Sequence, residues 1–127
     1  MKTCIDFLAI GAAGFLGAMV RYLVALLSVW AFGVSYGFVG TMIINITGSL
    51  FLGWFVVVTE ARIVLPGALK LAIGVGFVGA YTTFSTFCVD SMRLMEGAAY
   101  NKFAVNVLGS VLIGLIAARL GMRLAGR

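Results

Sequence analysis

Four apolar stretches divide this chain, and each is long enough to cross a lipid bilayer. Residues 5–32 are interrupted only by Asp6 near the start and by Arg21, and residues 37–59 carry no charge. Residues 71–92 carry none until Asp90, and residues 102–119 open on Lys102 and close on Arg119. A spanning helix needs about 20 predominantly apolar residues. In hydrocarbon a helix also satisfies its own backbone polar groups. The predicted architecture is therefore an all-α membrane protein, a single four-helix transmembrane domain over residues 1–127. Charged residues make up only 10% of the chain, where soluble domains carry about 25%, and no hydrophilic half offers a second domain. The links are short, roughly 33–36, 60–70 and 93–101. Pro66, the only proline, falls in the second link, where it breaks no helix. Trp30 and Tyr36 flank the first link and suit an interfacial aromatic belt.

The basic residues give an orientation. With the N-terminus inside, Lys2, Arg62, Lys70, Arg119, Arg123 and Arg127 face the cytoplasm, Arg93 and Lys102 face outward, and Arg21 lies within a span. That distribution favours an N-in chain by the positive-inside rule. The net charge of +5 reads as topology signal and headgroup contact, with no need for a nucleic acid. The opening MKTC resembles the start of a signal peptide, but the apolar run behind it is too long for one and has no tidy cleavage site. A retained first helix is expected. Cys4 precedes helix one and Cys88 lies toward the far end of helix three, so no disulfide is expected within one subunit.

Polar residues inside the spans are the candidates for function, because they are costly in lipid and usually face the bundle or a water-filled path. Helix two carries Thr41, Asn45 and Ser49 at i, i+4, i+8, and helix four carries Lys102, Asn106 and Ser110 at the same spacing. Each set lies along one helix face. Helix three carries Thr82, Ser85 and Thr86, with Phe84 and Phe87 interleaved. One reading is hydrogen-bond glue between helices. Three such sets on three helices point further, to a shared polar path. The chain has no histidine and no acid in mid-membrane, which argues against proton coupling. Hydroxyl and amide donors without a carboxylate suit an anion. A phenylalanine ring has a positive edge, which adds weak anion solvation.

The 17 glycines form a further pattern. Gly11, Gly14 and Gly17 on helix one, Gly48 and Gly53 on helix two, and Gly109 and Gly114 on helix four read as close helix contacts. Gly74, Gly76 and Gly79 precede the hydroxyl cluster and suggest a break in helix three, which would free backbone carbonyls for ions.

At this point the motifs resemble a family. GFVGAYTTFSTF (76–87) is similar to the third-helix signature of the Fluc, or CrcB-type, fluoride channels. GTMIINITGS (40–49) resembles their second-helix motif, GAAGFLGAMVRY (11–22) their first helix and VNVLGS (105–110) their fourth. The resemblance implies a dual-topology, antiparallel homodimer with two fluoride pores in a bacterial inner membrane. It implies pore roles for Phe84, Phe87 and Asn45, a polar track at Ser85 and Thr86, and a pore hydroxyl at Ser110. Asn106 joins that path as the other polar member of the fourth-helix stripe. Arg21 matches the family's first-helix arginine. Gly79 and Thr82 match residues whose carbonyls, doubled across the dimer axis, hold a structural Na⁺. Two features depart from the pattern. Ala80 stands where the family commonly has a second glycine, which would strain a positive φ, and the basic bias differs from the balance that dual topology predicts. A four-helix multidrug-type cation/proton exporter is the alternative, but helix one lacks the embedded glutamate it needs. A structural subunit without transport is a third possibility. No reaction is catalysed under any of these readings.

Overall fold

The computed structural model describes residues 2–126, and they are helical almost throughout. Helix α1 (Lys2–Phe32) is followed by a 3₁₀ turn (Val34–Tyr36), α2 (Gly37–Ala61), and a composite third segment. That segment comprises α3 (Gly67–Leu71), a π-helical stretch (Ala72–Val78), α4 (Gly79–Tyr81) and α5 (Phe84–Glu96). Helix α6 (Tyr100–Gly126) completes the chain. Four of these segments, Lys2–Phe32, Val34–Ala61, Gly67–Glu96 and Tyr100–Gly126, are long and apolar enough to cross a membrane. The helices overrun the apolar stretches at most ends. The extension is largest in α6, which carries Arg119 and Arg123 past its apolar run, and basic side chains near a helix C-terminus complement its dipole.

Helix α2 packs along α6, while α1 packs along the π-helical stretch and α4. Glycine sets both contacts. A Cβ on Gly53 would overlap the Ala118 carbonyl, and one on Gly121 would overlap the Leu50 carbonyl. On the other pair, a Cβ on Gly17 would overlap the Phe77 carbonyl, and one on Gly76 would lie 2.6 Å from the Ile10 carbonyl. Backbones thus approach closely where a side chain would hold them apart. Gly17 and Gly53 take the packing role that the sequence suggested, and Gly121 and Gly76 join them. Gly11 has no neighbour within 4 Å of the position a Cβ would take.

The interior is small and partly polar. Ile44 and Val78 are its best-covered large apolar side chains, beside Thr41, Thr83, Ser91 and Asn106. Among the described residues, every buried polar side-chain atom has a hydrogen-bond partner. Most of the remaining apolar surface, such as Phe7, Leu8, Leu115 and Ile116, faces outward, as a lipid-exposed bundle requires. Cys4 and Cys88 are free thiols.

Helix three does break, though not at the glycines. Gly74 and Gly76 lie in the π-helical stretch, where the wider i→i+5 turn accommodates an extra residue and often marks a functional site. The interruption comes at Thr82 (φ −77°, ψ 157°) and Thr83 (φ −151°, ψ 118°), both extended. Ala80 sits inside α4, and among the described residues only Gly33 and Ala98 have positive φ. The strain expected at Ala80 therefore does not arise. Ala98 (φ 55°) ends α5 instead. The Ala99 amide donates to the Leu94 carbonyl and the Ala98 amide to the Met95 carbonyl, the paired bonds that close a helix through a left-handed residue.

The close contacts of α2 with α6 generate a test. Gly121→Ala or Gly53→Ala places a methyl group against a fixed carbonyl, and overpacking of this kind costs about 1–3 kcal/mol. The thermal midpoint of detergent-solubilised protein should fall for both variants. Gly37→Ala, where a Cβ meets nothing within 4 Å, should melt like the parent. Unchanged melting of Gly121→Ala would contradict the packing described here.

Candidate functional site

The two extended threonines need new partners for their backbone, and α2 supplies them. Asn45 Nδ2 donates to the Thr83 carbonyl at 2.9 Å, and the Thr83 amide donates to Asn45 Oδ1 at 2.8 Å. Asparagine fits because its planar end carries a donor and an acceptor side by side. The Asn45 amide thus pairs with one residue of the broken helix as a neighbouring strand would. Thr83 also caps α5: its Oγ1 accepts from the Thr86 amide at 3.2 Å and donates to Thr86 Oγ1 at 3.0 Å. The Thr82 hydroxyl turns back to the Val78 carbonyl at 3.0 Å, and its methyl group fills the space left by Gly48.

These bonds release two carbonyls. In a continuous helix the Thr83 amide would donate to the Gly79 carbonyl and the Thr86 amide to the Thr82 carbonyl. Here those amides are committed to Asn45 Oδ1 and Thr83 Oγ1. Gly79 is exposed on the single chain and Thr82 half-buried.

Beside the break lies an open groove of about 300 Å³. Its walls include Asn45 and Ser49 from α2, Thr82 and Thr83 from the break, Phe84 and Phe87 from α5, and Ser110 from α6. Among the described residues, no charged side chain lines it. The Phe84 and Phe87 rings stand 5.7 Å apart, tilted by 38°, and Phe84 is 76% exposed. The hydroxyl hydrogens are largely committed elsewhere. Ser49 donates to the Asn45 carbonyl at 2.7 Å, Thr82 to Val78 and Thr83 to Thr86. Ser110 donates to Asn106 Oδ1 over a long 3.4 Å. Asn45, which lines the groove, has a second N–H beyond the one given to Thr83.

The groove thus unites Asn45, Ser49, Thr82, Phe84, Phe87 and Ser110 among the polar and aromatic residues singled out from the sequence. Ser85 and Thr86 are exposed on α5 beside it but do not form its walls. Asn106 is fully buried, behind the groove, and donates to Ser91 Oγ at 3.0 Å. Arg21 is half-buried on α1, which supplies no wall of the groove. Thr41 leaves the polar stripe to donate to Asp90 Oδ2 at 2.8 Å. Lys102 donates to the Ser35 carbonyl at 3.1 Å and stands 3.9 Å above the Tyr36 ring, so it fastens the first link to α6. Thr83 belongs to the hydroxyl cluster of helix three, but sequence reasoning assigned it no role of its own. Its signal was present as a capping threonine three residues before Thr86. Ser91, which reaches Asn106 across two helices, carried no local signal.

Comparison with known proteins identifies the family. The family model described as "CrcB-like protein, Camphor Resistance (CrcB)" matches residues 8–122. The chain is 44% identical over 115 residues to "Fluoride-specific ion channel FluC 2" of Geobacillus kaustophilus, covering 91% of this chain and 88% of the relative. It is 37% identical over 123 residues to "Fluoride-specific ion channel FluC" of Vibrio parahaemolyticus, covering 97% and 94%. It is 40% identical over 117 residues to the protein of that name from a Synechococcus species, covering 92% and 88%. With the family model matching residues 8–122, nearly the whole chain, the chain belongs to the CrcB-like family.

Proposed function

We propose that this chain forms a fluoride-selective ion channel that carries fluoride down its electrochemical gradient and lowers its cytoplasmic concentration. The setting would be a bacterial inner membrane. The observation that carries the reading is the uncharged groove in which Asn45 meets Phe84 and Phe87. The names of the relatives, fluoride-specific ion channels, support it. Fluoride is small and strongly hydrated, so a path must replace its water with several weak partners in series. Binding must favour entry and still permit exit. An amide N–H and two ring edges meet that need, whereas a fixed cation would hold the ion and a carboxylate would repel it. Ser85 and Thr86 extend the donors along α5, and Arg21 lends distant positive potential from α1. No chemical step is involved, and nothing in the proposal requires a nucleic acid.

A second copy of the chain completes the proposal. The groove is open on one side, and Phe84, Ser85 and Thr86 are exposed on a single chain. An antiparallel homodimer, with its two subunits inserted in opposite directions, would close two such grooves. It would also pair the Gly79 and Thr82 carbonyls of both subunits around a structural Na⁺. The donor set fits, since hard oxygen atoms suit a small hard cation and both carbonyls have lost their helical amides to Asn45 and Thr83. Bound there, the ion would supply positive charge that ties the two breaks together.

Purified protein in liposomes should pass fluoride and largely exclude chloride. Phe84→Ile and Phe87→Ile keep an apolar side chain at modest volume cost but remove the ring edge. Each should lower initial fluoride efflux per folded dimer by about tenfold or more, which corresponds to a barrier raised by about 1.4 kcal/mol. Asn45→Asp should be as severe, because the added charge repels an anion and the carboxylate has no N–H for the Thr83 carbonyl. Parental rates in all three well-folded variants would remove the groove from the pathway, and equal chloride and fluoride flux would remove fluoride as the substrate.

Orientation has its own test. With Cys4 and Cys88 replaced by alanine, Ser35→Cys in the first link should react with an impermeant thiol reagent from both sides of the membrane, in different copies. Reaction from one side alone would support the orientation implied by the basic residues and reject the antiparallel dimer.

A further inference from the structure

Two walls of the groove, Phe87 on α5 and Ser110 on α6, are joined from behind by a buried chain of hydrogen bonds. Ser110 Oγ donates to Asn106 Oδ1 at 3.4 Å, Asn106 Nδ2 donates to Ser91 Oγ at 3.0 Å, and Ser91 Oγ donates to the Phe87 carbonyl at 2.7 Å. The direction of this chain is fixed at one end. The Phe87 carbonyl only accepts, so it takes the single Ser91 hydrogen. Ser91 must then accept from Asn106, which turns the Asn106 NH₂ toward α5 and its oxygen toward Ser110. Asn106 is 0% exposed and Ser91 6% exposed, so losing either partner strands a buried polar group.

Few polar ties fix the rotation of α5. Phe84, Val89, Met92 and Met95 are exposed along it. Its start is tied to α2 through Asn45, and Asp90 bonds Thr41 on the same helix. Among the described residues, the Asn106–Ser91 bond is the polar tie from the body of α5 to α6. It lies one turn beyond Phe87, on the helix face where residues i and i+4 sit together.

We infer that Asn106 and Ser91, neither of which lines the groove, are positioning residues for the anion path. They set the rotation of α5, and so the placement of the Phe87 ring opposite Ser110. They also hold the Ser110 hydrogen out of the groove until an ion draws it in. The 3.4 Å contact is the longest in the chain and therefore the one most easily surrendered. This inference rests on the groove being the fluoride path.

A double-mutant cycle in the full-length protein tests it. Ser91 and Ser110 do not touch each other, so only the bridge through Asn106 couples them. Fluoride efflux from liposomes, normalised to folded protein, should fall about tenfold for Ser91→Ala and similarly for Ser110→Ala, while the double variant should lose no more than the weaker single one. Ser91→Thr keeps the hydroxyl and should recover most of the parental rate. A purely structural role predicts lower melting temperature with parental flux per folded protein, and that result would overturn the inference. Independent, multiplicative losses of about a hundredfold in the double variant would overturn it equally. Should Ser91→Ala yield no folded protein, Ser91→Cys, with its weaker S–H donor, must conduct between parent and Ser110→Ala, and parental conduction would sink the proposal. A parent that carries no fluoride would fail at the channel assignment itself, a result distinct from a conducting parent with silent variants.

Discussion

The paired hydrogen bonds between the Asn45 amide and the backbone of Thr83 hold the rest of the site in place. A helix interrupted in hydrocarbon leaves peptide groups that water cannot reach, and each costs several kcal/mol if left without a partner (about 2–7). Asn45 satisfies the amide and carbonyl of one residue together, at 2.8 and 2.9 Å. Thr83 then caps the helix that follows. With those two residues in place, α5 can start on a new axis and present Phe84 and Phe87 beside α2 instead of continuing the line of α4. Removing the Asn45 side chain would therefore do more than delete a donor from the groove, because the break would lose its partner.

A second set of bonds explains why a groove so rich in hydroxyl groups offers so few free hydrogens. Ser49, Thr82 and Thr83 each commit theirs to a neighbour. Their role is to shape and hold, which under the proposed function leaves the ring edges and the remaining Asn45 N–H to meet the ion. This division suits a conducting path. An array of unspent donors would bind a small anion too well, and conduction needs release as well as entry. The absence of charged walls works in the same direction.

Much of the fold was legible in the sequence because the bilayer allows few alternatives. Four apolar runs with few charges inside them pointed to four helices able to span, and Pro66 marked the second link. The helix break was legible as an event but not at its site. Glycines drew attention to residues 74–79, yet the chain keeps Gly79 and Ala80 helical and opens at two threonines. The reason is tertiary, since Thr83 finds its partner 38 positions away in Asn45. Asn106 shows the same limit. Its i, i+4 relation to Ser110 placed it on a polar stripe, but periodicity cannot tell the side of a stripe that faces the groove from the side that packs against α5. Thr41 and Lys102 left their stripes for comparable reasons, each drawn to a partner on another element.

The claim on which all of this depends is that helix three opens at Thr82 and Thr83 and nowhere else. Carbonyl and Cα chemical shifts of residues 79–87, measured by solid-state NMR on ¹³C-labelled protein in bilayers, report it residue by residue. The account predicts extended shifts at Thr82 and Thr83, helical shifts at Ala80 and from Phe84 onward, and loss of the extended pair in Asn45→Leu. Unbroken helical shifts from Gly79 through Phe87 in the parent protein would contradict it.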